Sequence, residues 1–150
     1  MRPIQILLLA AVLTLGGCVT PLQPRNYQYD FAVTQLADDR FRVQYSGWSA
    51  SDDDTIVDLA LLRSAEIALQ HGYHYFVLVD NDSAEALAQA TPPAPDADYV
   101  LSGDTRYLVA APGDDNHVLG LRDSPTGSGY VALFVKASLR AKYALDLSGS

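Results

Sequence analysis

Tyr73-His74-Tyr75-Phe76-Val77-Leu78-Val79 follows Gly72, and Asp80-Asn81-Asp82 ends it. Both faces of this run are apolar, which predicts a strand placed centrally in a sheet. The residues before Gly72 carry a helical pattern over Asp53–Gln70. Ser51-Asp52-Asp53-Asp54 starts it, because small acidic side chains accept from free amides and suit the positive end of a helix dipole. Gly72 is a natural residue to end it. At 100° per residue, Val57, Ala60, Leu61, Ala65 and Ala68 line one side, Leu62 and Leu69 widen it, and Ile56 and Ile67 flank it. Arg63, Glu66 and Gln70 remain as a narrow polar stripe. That apolar arc exceeds the stripe of an ordinary surface helix. One face should pack on a sheet, and another should be covered by a loop or a partner.

Upstream, Tyr27, Tyr29, Phe31 and Val33 alternate with polar or small residues, and Phe41, Val43 and Tyr45 alternate with Arg40, Arg42 and Gln44. Period two with aromatic and β-branched residues predicts two half-buried strands, joined at Asp38-Asp39. Downstream, segment 83–98 holds Pro92, Pro93 and Pro95 and reads as a mobile surface loop with a helical turn at Ala84–Ala90. Tyr99–Ala111 is a strand pattern interrupted by Gly103-Asp104, and Pro112–Gly129 is rich in turn signals. Tyr130–Leu139 closes the sheet, with Val131, Leu133, Val135 and Leu139 facing in and Lys136 and Arg140 facing out. The expected fold class is α+β: an antiparallel sheet of about five strands with one main helix packed on it, in the order β-β-α-β-β-β. It forms a single domain over residues 27–150.

The N-terminus reads as a signal. Arg2 precedes an apolar run from Ile4 to Leu15, and Gly16-Gly17 stands before Cys18. The run is too short to span a bilayer, which takes about 20 residues. Leu15-Gly16-Gly17-Cys18 resembles the bacterial lipobox. Residues 1–17 are then a cleaved signal peptide, Cys18 is the lipidation site, and residues 18–26 are a lipidated tether. Two or more acyl chains hold a protein on a membrane stably. Val19 in place of Asp favours the outer membrane, by resemblance to enterobacterial lipoproteins. The expected location is the cell envelope, on the outer membrane and facing the periplasm.

Cleavage removes Arg2 and leaves nine Lys and Arg against eighteen Asp and Glu. An acidic domain is a poor ligand for nucleic acid, which needs clustered Lys and Arg. It also repels anionic headgroups, so the membrane contact is the lipid on Cys18. Cys18 is the only cysteine, and no disulfide is available.

Arg42-Val43-Gln44-Tyr45-Ser46-Gly47, Leu61-Leu62-Arg63-Ser64-Ala65-Glu66-Ile67-Ala68-Leu69 and Gly72-Tyr73-His74-Tyr75-Phe76 together resemble a family of short proteobacterial lipoproteins of unknown function. The resemblance covers about residues 27–80. It implies the lipid anchor and the fold. It implies no chemistry, because the family has no established activity.

Arg63 and Glu66 lie three apart on the helix, within ion-pairing reach. They read as a surface or rim salt bridge orienting the helix, or else as a buried pair or a ligand contact. His71 and His74 have the spacing of a metal motif, but Gly72 breaks the helix between them and a zinc site wants three or four ligands. His74 alternates with Tyr73 and Tyr75 and should pack within the strand. Asp52-Asp53-Asp54 and Asp80-Asn81-Asp82 lack the spacing of a calcium loop and read as a helix cap and a turn. No nucleophile elbow or phosphate loop is present, and no cofactor is expected. Trp48 either anchors a partner or covers the open edge of the core. The function expected from these features is an outer-membrane lipoprotein acting as a protein-interaction module toward an envelope partner. A ligand-binding or enzymatic domain acting on an envelope component, with Arg63, Glu66 and His74 at its site, is the alternative.

Overall fold

A computed structural model describes residues 24–47, 52–80, 98–102 and 105–145. Cys18, Trp48 and most of segment 83–98 lie outside the described residues. A 3-10 helix over Pro24–Asp30 leads into β1 (Phe31–Ala37) and β2 (Arg40–Tyr45). The long helix α1 (Asp53–Gln70) and strand β3 (Tyr75–Leu78) follow. Strands β4 (Tyr99–Ser102), β5 (Thr105–Leu108), β6 (Asp115–Leu121) and β7 (Tyr130–Val131) come next, and helix α2 (Ala132–Lys142) ends the order. The fold class is α+β, with a five-stranded antiparallel sheet in the order β1-β2-β6-β3-β7 and one main helix on it. No helix among the described residues is long and apolar enough to cross a membrane.

Local chemistry explains both ends of α1. Asp52 accepts from the Thr55 amide at 2.8 Å, which satisfies one orphan donor of the first turn. At the other end Gly72 adopts φ +80°, and the amides of Gly72 and Tyr73 donate to the carbonyls of Leu69 and Ala68. This crossed pair of bonds is a Schellman closure, which a glycine makes without strain. It delivers Tyr73, buried, to the start of β3.

Strand β3 and the adjoining part of β6 are covered on both faces. Phe41, Val43, Phe76, Leu78 and Val118 face the helices and pack with Leu59, Ala60, Leu62, Ala65 and Ala68 of α1. On the opposite face Val77, Val79 and Leu119 pack with Val100 and Tyr107 of the β4–β5 hairpin. The hairpin joins the edge of β3 through Val79 and Val109, and the Ala110 amide donates to the Leu78 carbonyl. A strand buried on both faces reads as a continuous apolar run, and Phe76-Val77-Leu78-Val79 is that run.

Three segments differ from the sequence reading. Tyr130–Leu139 is not one strand. Only Tyr130 and Val131 pair, with Phe76 and Tyr75, and Ala132 begins α2. Ala132, Val135 and Leu139 recur at helical spacing and pack into the core, while Val131 and Leu133, both expected to face in, are exposed, as is Phe134. The alternation of Val131, Leu133 and Val135 coincides with a helical pattern in a stretch too short to separate the two periods. Helix α2 packs against α1, and it is the cover that the wide apolar arc of α1 requires. Pro112–Gly129 contains β6, an inner strand between β2 and β3. The strand expected from Tyr27 begins only at Phe31, and the segment expected to be a tether is already helical at Pro24.

Candidate functional site

The described residues converge on one buried carboxylate. Glu66 lies in the C-terminal half of α1 and is 3% exposed. It sits among Leu59, Leu62 and Leu69 by the i, i+3, i+4, i+7 rule, so its side chain points inward and not along an outer stripe. The Tyr27 hydroxyl, from the 3-10 helix, donates to Oε1 at 2.6 Å. Arg140, from α2, donates to the same oxygen through Nη2 at 2.6 Å and Nε at 3.2 Å. Gln28 Nε2 and Arg63 Nη1 each donate to Oε2 at 3.3 Å. One carboxylate thus ties the N-terminal segment, the main helix and the C-terminal helix together.

The Arg63–Glu66 pair is therefore no rim salt bridge. Arg63 is 15% exposed, and Arg140 is 4% exposed. An ion pair at this depth loses hydration on both sides, and only good geometry with further hydrogen bonds offsets that cost. Tyr27 and Gln28 supply those bonds. Both carboxylate oxygens are occupied, so Glu66 offers no free lone pair to a substrate proton and is a poor general base. What the arrangement does chemically is hold three elements in register.

Tyr27 carries the electrostatic signature of the cluster. Burial, then its hydrogen bond to Glu66 and the negative charge there, push its hydroxyl up to about 12. A folded-state value above the unfolded one gives stability that is complete below pH 10 and is lost as pH rises toward 12. Alkaline titration followed by phenolate absorbance and far-ultraviolet circular dichroism is expected to show Tyr27 as a late-titrating phenolate, beside Tyr130 and Tyr143, which burial also pushes up. Tyr27→Phe should lose that phenolate and flatten the stability slope between pH 10 and 12. An unchanged slope would mean that another group controls alkaline unfolding.

The other sequence candidates do not join this site. His74 is exposed in the turn before β3, where its carbonyl accepts from the Ala132 amide, instead of packing in the strand. His71 is exposed, and its ring lies tilted against Phe41 with centroids 4.4 Å apart. Among the described residues no three His, Cys, Asp or Glu side chains are placed to hold a metal ion. Tyr27, Gln28 and Arg140 are the members that sequence reasoning missed. The sequence reading sets Glu66 in a polar stripe with Arg63 and Gln70, and the signal against that is Leu59, Leu62 and Leu69 on the same side of α1. No local signal names its partners.

A second polar group lies on the sheet face away from the helices. Arg42 forks onto Asp115, with Nε to Oδ1 at 2.9 Å and Nη2 on Oδ2. The Arg42 hydrogen bonds hold the Asp115 carboxyl below the usual range. The pair is partly exposed and of the kind worth under about 1 kcal/mol. Comparison with protein-family models, with curated proteins and with solved structures finds no match to this chain.

Proposed function

We propose that this chain is a lipid-anchored protein of the bacterial cell envelope, held on the outer membrane through acylated Cys18 and facing the periplasm. Its α+β domain serves as a protein-interaction module. The anchor half of this reading is supported by Arg2, the apolar run Ile4–Leu15 and the lipobox-like Leu15-Gly16-Gly17-Cys18. The interaction half is carried by one observation: apolar side chains stay exposed along the two outer strands of the sheet. Val33 and Leu36 are exposed on β1, and Val131, Leu133 and Phe134 at β7 and the first turn of α2. Exposed apolar side chains close together in one segment, as at positions 131, 133 and 134, mark interaction sites more often than isolated residues do.

Tyr27, nine residues after Cys18, fastens the chain to Glu66. Nine residues span at most about 30 Å, so the domain stays near the membrane. Two measurements test the reading. Growth with an alkyne-tagged fatty acid is expected to label the wild-type protein and not Cys18→Ser, which should move to the soluble envelope fraction. Labelling of Cys18→Ser would remove the anchor. Crosslinking in intact cells, followed by mass spectrometry, is expected to yield a recurrent envelope partner that Leu133→Ser/Phe134→Ser or a β1 variant loses. Absence of any recurrent partner would remove the interaction role and turn attention to ligand binding.

A further inference from the structure

We infer that β1 is a docking edge for an extended segment of another protein, uncharged at its centre and flanked by Lys or Arg. The inference rests on the interaction-module reading and names its surface. The phase of the backbone comes first. The Tyr45 amide donates to the Asp114 carbonyl at 2.7 Å, so Tyr45 turns its hydrogen-bonding groups toward β6. The Ser46 amide donates to the Asp30 carbonyl at 2.8 Å. The register sets Phe31 opposite Tyr45, Ala32 opposite Gln44 and Thr34 opposite Arg42. Pairs alternate along an antiparallel ladder. Ala32 and Thr34 therefore bond β2, and the amides and carbonyls of Phe31, Val33 and Gln35 point outward.

Among the described residues that edge has no strand beside it, since β1 ends the sheet order. The opposite end of the sheet is closed off differently, since β7 has two residues and β1 has seven. Proteins guard sheet edges with short strands, charged residues, proline or bulges. Phe31-Ala32-Val33-Thr34-Gln35-Leu36-Ala37 contains no charge and no proline. One guard is present, a register shift between Gln35 and Ala37. It limits the usable edge to Phe31–Gln35, which is long enough for strand addition of the kind that gives affinity through main-chain bonds.

Charge selects the occupant. Asp30 precedes the strand, and Asp38 and Asp39 follow it, so both ends of the edge are acidic. The two arginines of the neighbouring strand β2 are engaged elsewhere: Arg42 with Asp115, and Arg40 over the Tyr107 ring at 5.9 Å. The chain carries a net charge of −8, which opposes a second copy at this edge. A segment with basic flanks gains at both ends, and the gain shrinks with added salt.

The test uses the mature acylated chain in detergent micelles. The probe is a fluorescent peptide, Lys-Lys-Thr-Val-Thr-Val-Thr-Lys-Lys. It is expected to bind and to slow amide exchange at Phe31, Val33 and Gln35. The Glu-flanked peptide, and a Lys-flanked peptide with alternate amides N-methylated, should each bind at least about tenfold more weakly, or 1.4 kcal/mol. Val33→Pro removes one outward amide and no β1–β2 bond, and it should weaken binding by a similar factor while circular dichroism is kept. The N-methylated peptide gives the same information if that variant fails to fold. Unchanged exchange, equal binding of the Lys- and Glu-flanked peptides, or a dimer that Val33→Pro dissolves would each overturn the inference. A partner crosslinked in cells and retained by Val33→Pro would overturn this surface and leave the interaction module standing. Peptide binding at β1 without any cellular partner would support the edge chemistry and count against the module.

Discussion

Glu66→Ala is expected to destabilise the domain by about 3–5 kcal/mol, the cost of leaving a buried charge without its partner. Total stability of a domain is about 5–15 kcal/mol, so this variant should lose a large fraction of it and show a much lower urea midpoint near room temperature. The reason lies in Arg140, which is as buried as Glu66 and makes two hydrogen bonds to it. Truncating Glu66 takes away the carboxylate that receives two of that guanidinium's hydrogen bonds and balances its buried charge. It also leaves the hydroxyl of Tyr27 without its acceptor at 2.6 Å. Glu66→Gln keeps an acceptor of the same shape and loses the charge, and should fall between the two. A cost below about 1 kcal/mol for Glu66→Ala would place the pair in the class of exposed salt bridges and refute the burial argument.

The double variant Glu66→Leu/Arg140→Leu separates two roles of the cluster. Replacing a buried ion pair by apolar residues of similar volume is often neutral or stabilising. The double variant should therefore recover most of what Glu66→Ala loses. The N-terminal segment should not recover with it, because Tyr27 and Gln28 dock on the carboxylate and not on the hydrophobic core alone. Faster proteolysis before Phe31, in a domain with restored urea stability, is the expected result. Equal protection in the double variant would mean that Tyr27 is held by packing.

How much of this was legible follows the range of the interactions. Helix α1 was legible because its signals are local: Asp52 caps Thr55 three residues on, and Gly72 closes the turn beside it. The inner strand β3 was legible because burial on both faces leaves an unbroken apolar run. Strand β6 was not, because it opens with Asp115-Asn116-His117 and carries Gly120 near its end, residues that read as turn. Its place between β2 and β3 is decided by neighbours far away in sequence. Helix α2 was misread because Val131, Leu133 and Val135 fit a strand as well as Ala132, Val135 and Leu139 fit a helix, and only packing against α1 decides. The candidate site was half legible. Arg63 and Glu66 are one turn apart and could be paired on paper, whereas Arg140 lies 74 positions from Glu66 and Tyr27 lies 39. The strand pattern over Tyr130–Leu139 faces Arg140 outward, so the strongest contact of the cluster is invisible to it.

Gly120→Ala carries the second large effect, and it acts through shape alone. A Cβ at position 120 would lie 2.5 Å from Cγ and Cδ2 of the Tyr73 ring, far inside contact distance. Gly120 pairs with Phe76 across β3, so the added methyl points to the helix side of the sheet, where Tyr73 lies flat against the strand. The ring has little room to yield. Its hydroxyl donates to the Asp38 carbonyl at 2.9 Å, and its amide closes α1 on Ala68. Moving the ring therefore disturbs the β1–β2 turn and the end of α1 together. Overpacking of this kind costs about 1–3 kcal/mol, and here the upper end is expected because both exits are tied. Gly120→Ala should lower the urea midpoint without changing the slope of the transition. The double variant Gly120→Ala/Tyr73→Ala should cost less than the sum of the two single changes, because removing the ring removes the clash. Strict additivity would show that the methyl is accommodated by the strand and that Tyr73 is not what keeps position 120 a glycine.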